Sequence, residues 1–114
     1  MRAAQLLSIV SGRIAEDRAS LAGVDTKARA AANGTLAMKT AAAYFGYGDY
    51  AKAVDLYRVA LQKGGVDANV VNTRLGIALA LAGQKAEATT ALQAVTGTRA
   101  DLAQLWLAWM NQRA

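Results

Sequence analysis

Apolar residues recur along this chain at intervals of three and four, the spacing that turns one face of a helix toward a core. Near the start Leu6, Ile9, Val10 and Ile14 keep that spacing, with Arg2, Arg13 and Glu16 lying off it. Asp25-Thr26 then reads as an N-cap for a short KARAAA helix. Thr35 opens a helix carrying Leu36, Met38, Ala41, Tyr44 and Phe45, which the Gly46-Tyr47-Gly48 turn ends. Asp49 caps the next, from Tyr50 to about Gln62, with Val54, Tyr57, Ala60 and Leu61 on its inward stripe. Asp67 begins a further helix, with Val70, Val71, Leu75, Ala78 and Leu79 inward, ending at Ala82-Gly83. Another runs from Lys85 to Val95, and a last one, capped by Thr98 or Asp101, carries Leu102, Leu105, Trp106, Trp109 and Met110 on one face.

Glycines divide these pieces, so breaks are expected near 23–25, 46–48, 63–67, 82–84 and 96–100. Connections of two to five residues oblige consecutive helices to pack antiparallel. The 114 residues hold 28 alanines, the best helix former, and no proline. Short β-branched runs with turn signals are missing. The expectation is one all-α domain of six or seven antiparallel helices.

Compared with itself, the chain repeats. A shift of 35 lays Ala41 on Gly76, Tyr44 on Leu79, Gly48 on Gly83, Ala53 on Ala88, Tyr57 on Leu92 and Ala60 on Val95. Small residues meet small ones, which lets two helices approach, and bulky residues meet bulky ones, which fill the space between hairpins.

In these positions the chain resembles the tetratricopeptide repeat family, built of helix–turn–helix units. The family's small residue and aromatic in the first helix match Ala41 and Tyr44, then Gly76 and Leu79, and Leu75-Gly76 reproduces its leucine–glycine pair. Its small–aromatic–small trio in the second helix matches Ala53, Tyr57 and Ala60, then Ala88, Leu92 and Val95. Ala37 and Asn72 depart from the bulky residue usual early in the first helix, and the proline usual at the end of the unit is missing. The resemblance implies antiparallel helical hairpins stacked as a short right-handed solenoid, with repeats at 34–68 and 69–100. Residues 1–33 are then N-terminal helices, in part a decayed repeat or none, and 101–114 are a C-terminal capping helix. The other reading of Trp106 and Trp109 is an exposed binding patch. Since about three repeats are needed for a continuous core, the N-terminal helices complete it, or the chain dimerises, or it is the C-terminal part of a longer protein. The last is the expectation adopted.

Composition narrows the chemistry. With no Cys and no His, thiol and imidazole catalysis and the usual zinc cages are closed, so no enzyme, metal or cofactor is expected. The 13 Lys and Arg against eight Asp and Glu give a net +5, but the cations are scattered without a run of three. A phosphate-tracking surface needs clustering, so a basic nucleic-acid-binding domain is the alternative and not the expectation. No apolar run reaches the roughly 20 residues that span a bilayer. The compartment stays open: cytoplasm for a complete chain, periplasm or envelope for a piece of a secreted one.

In the family, first helices of successive repeats line a groove that holds a peptide or partner helix. Carried over by position, the resemblance implies a groove of Met38, Ala42 and Phe45 from one copy and Thr73, Ile77 and Leu81 from the other. Thr35, Val70 and Ala80 extend it, and Lys39 and Arg74, 35 residues apart, edge it and favour acidic residues in a partner. None of the groove-lining positions carries the Lys or Asn with which relatives clamp a C-terminal carboxylate. The implied function is a non-catalytic interaction or scaffold module binding an apolar segment such as an amphipathic helix. The alternatives are that Met38, Phe45 and Ile77 pack on the chain's own helices, or that the domain only self-associates.

Overall fold

The computed structural model describes residues 19–112. They form helix α1 over 19–30, α2 Thr35–Gly46, α3 Tyr50–Lys63, α4 Ala68–Leu81, α5 Lys85–Gln93 and α6 Ala100–Gln112, with one 3-10 turn at Gly97–Arg99 before α6. No strand occurs among the described residues. The helical reading of the apolar stretch from Leu6 to Ile14 lies outside them.

Local chemistry explains most boundaries. Asp49 caps α3 by accepting the Lys52 N–H, and Asp67 caps α4 by accepting those of Asn69 and Val70. The turns after α2 and α4 are built alike. Gly48 and Gly83 take φ of 80° and 82°, a conformation costly for any residue with a Cβ. The next N–H, of Asp49 or Gln84, returns to the carbonyl of Tyr44 or Leu79 at 3.0 and 2.9 Å, closing the helix end in the same way 35 residues apart.

Two expected boundaries move. The break at 23–25 is absent, and α1 runs on to residue 30. Asp25 does not cap a helix there; its carboxylate pairs with Arg29 one turn on, while the Thr26 hydroxyl donates to the Ala22 carbonyl. Both side chains are spent inside the helix, and Gly23 is tolerated with negative φ. The break falls instead at 31–34, where Asn33 Oδ1 accepts the Thr35 N–H at 3.0 Å. At the other end Thr98 sits in the 3-10 turn and Asp101 within the first turn of α6, so neither is its cap.

From α2 onward each helix packs on the next, α2 on α3, α3 on α4, α4 on α5 and α5 on α6, and α6 also touches α4. With connections this short, neighbours run antiparallel. Arg29 of α1 pairs with Asp55 of α3, and Arg58 of α3 pairs with Glu87 of α5. Apart from the turn glycines Gly48 and Gly83, both exposed, every position that the 35-residue shift equates is buried, from Ala41 and Gly76 to Ala60 and Val95. Alanines at 0% exposure in α2, α3, α4 and α5 set the helices close, and Tyr57, Leu56, Leu79 and Leu92 fill the seams.

Candidate functional site

Between α2 and α4, above α3, lies a notch of about 250 Å³ lined by Ala42, Phe45, Tyr57, Arg74 and Ile77. α2 supplies Ala42 and Phe45, α4 supplies Arg74 and Ile77, and Tyr57 of α3 closes the floor. Ala42 and Ile77 are equivalent under the 35-residue shift, and each stands one turn after a cation, Lys39 or Arg74. Small Ala42 leaves the space that a bulky residue would fill. Phe45 meets Tyr50 edge-on at 5.3 Å, which fixes its ring at the mouth.

Three of the residues carried over from the repeat family, Ala42, Phe45 and Ile77, therefore meet in one place with the expected edge residue Arg74. Ile77 is half-buried, whereas Phe45 packs against the core as well as lining the notch. Lys39 is exposed one turn along α2. Met38 is half-buried against the core and does not line the notch.

Thr73 is a correction. It is 2% exposed, and its hydroxyl donates to the Asn69 carbonyl at 2.7 Å, so it presents no polar atom to a ligand. Thr40 in α2 is buried in the same manner on Leu36. Leu81, at 38% exposure, belongs to another depression, with Ala80, Gly83, Lys85, Trp109 and Met110. One helical turn beyond Ile77, it lies beside Trp109 and Met110 of α6.

Tyr57 is the member that the sequence placed only in the core. Burial pushes its phenol above the ordinary tyrosine value, and the Arg74 guanidinium beside it pulls the other way. The contact was legible only after the hairpins were stacked, since the two residues stand on different helices.

α6 presents a second apolar surface. Ala103 and Met110 are buried against its neighbours, but Leu102 and Leu105 are 40% and 68% exposed. With Trp106 and Trp109, whose rings meet edge-on at 5.3 Å, they border a cavity of about 240 Å³.

Among the described residues no group of three His, Cys, Asp or Glu could hold a metal ion, and no helix is long and apolar enough to cross a membrane. In comparisons with known proteins, no family model, no curated protein and no solved structure matches the chain.

Proposed function

We propose that the protein is a non-catalytic interaction module, a short helical-repeat stack of tetratricopeptide kind that seats a partner's peptide or helix in the α2–α4 notch. The observation that carries this reading is the convergence of Ala42, Phe45 and Ile77 over Tyr57 around one open space. At about 250 Å³ it is below the roughly 300–1,000 Å³ of sites that enclose small ligands, and suits one bulky side chain of a longer segment.

Repetition supports the solenoid part of the proposal. The turns at Gly48 and Gly83 share their geometry, and the inter-helix ion pairs link α1 to α3 and α3 to α5. The connector before α2 lies on the connector before α4: Gly34 N–H donates to the Gly64 carbonyl at 2.8 Å, and Lys63 Nζ to the Ala31 carbonyl at 2.7 Å. On this reading α1 is the second helix of a preceding unit.

Ile77→Glu tests the site. Ile77 is half-buried and stands apart from the core cluster, so the variant should keep its helical spectrum and melt near the wild type. Peptides selected from a displayed random library on the wild-type chain should lose binding to it. Peptides that bind both chains equally would sink the proposal.

A further inference from the structure

The carboxylates of the described residues avoid the notch. Asp25, Asp55 and Glu87 lie in α1, α3 and α5, Asp49 and Asp67 cap helices, and Asp101 opens α6. The first three are engaged by Arg29 and Arg58. Helices α2 and α4 hold no anion at all. Each carries a single cation, Lys39 or Arg74, both exposed, and no carboxylate among the described residues pairs with either. Arg74 itself forms part of the notch wall, against the phenol of Tyr57.

We infer that the notch takes an acidic amphipathic segment of a protein. One bulky apolar side chain enters between Phe45 and Ile77, and Asp or Glu side chains within a turn of it pair with Arg74 and Lys39. This rests on the groove reading above and adds the partner's charge. A purely apolar occupant would cover the Arg74 guanidinium with hydrocarbon and strip its water without a counter-charge, which is costly. A carboxylate replaces that water with charge-assisted, bidentate hydrogen bonds. A basic segment would bring like charges together, and the net +5 of the chain already repels it. A nucleic acid fits less well, because its phosphates need a strip of cations, and here two flank an apolar pocket.

The test is a random peptide library displayed on phage and selected on the full chain. Asp or Glu should be enriched within one helical turn of Leu, Ile, Phe or Trp. A synthetic peptide from the selection should bind Arg74→Glu and Lys39→Glu about tenfold or more weakly. Exchanging its own Glu for Lys should restore binding to the reversed chain. Winners without acidic residues, or indifferent to the charge swap while Ile77→Glu abolishes binding, overturn the acidic specificity and leave the groove standing. Loss of neither, or no enriched peptide, overturns both. A low-salt gel shift with DNA or RNA that Arg74→Glu removes would assign the cations to a polyanion and overturn the inference as well.

Discussion

Gly76 of α4 and Leu92 of α5 approach so closely that a Cβ at Gly76 would stand 2.5 Å from Leu92 Cγ. The atom met is the branch point of a side chain 1% exposed, so it has nowhere to go. Gly76→Ala therefore sets a gain in helix propensity of about 1 kcal/mol against overpacking of about 1–3 kcal/mol. Net destabilisation is expected, seen as a lower melting temperature. Gly23→Ala in α1 should do the reverse, because its Cβ would meet nothing within 4 Å and the φ there is negative. A gain of about 0.5–1 kcal/mol is expected at that site.

Ala53 and Ala88, both 0% exposed, occupy equivalent positions in α3 and α5. Replacing either with Leu inserts three carbons into a filled seam and should cost about 1–3 kcal/mol in a denaturant titration. Loss at one site and tolerance at the other would break the equivalence of the two hairpins.

Leu105→Glu and Met110→Glu separate the two faces of α6. Leu105 is 68% exposed, so its replacement should change stability by less than about 0.5 kcal/mol. Met110 is 5% exposed, and an unpaired carboxylate there should unfold much of the chain, since burying a charge costs several kcal/mol. Thermal melts by circular dichroism decide between them.

Alkali should loosen the fold through Tyr57. Its pKa is raised in the folded state, so folding favours the neutral phenol. The corresponding stability is complete below the unfolded value of about 10 and is lost as pH rises through the folded one. Tyr57→Phe should flatten the decline of melting temperature on the alkaline side. An unchanged slope would show that the phenol contributes nothing to it.

The hairpins were legible because their punctuation is chemical: Asp49 and Asp67 cap, Gly48 and Gly83 turn, and apart from those turns the 35-residue shift pairs buried residues with buried ones. The misplaced break at 23–25 shows the weakness of a local signal. Asp25 and Thr26 can cap a helix or bond within one, and Arg29, reaching both Asp25 and Asp55, decided for the latter. The notch was half legible. Ala42, Phe45 and Ile77 followed from the family resemblance and Arg74 from its equivalence to Lys39, but Thr73 is buried, its hydroxyl satisfied by the Asn69 carbonyl of its own helix. The exposure of Leu102 and Leu105 could not be read from periodicity, which marks an apolar face without saying what covers it.

The close-packed helix pairs join elements adjacent or next but one in the chain. Native contacts therefore close short loops, and the entropy lost in finding them is small. Folding should be fast for a chain of this length, since among the described residues no close-packed pair spans more than one intervening helix. Amide protection should peak in α3 and α4, which have neighbours on both sides, and fade toward α6, whose outer face has none among the described residues.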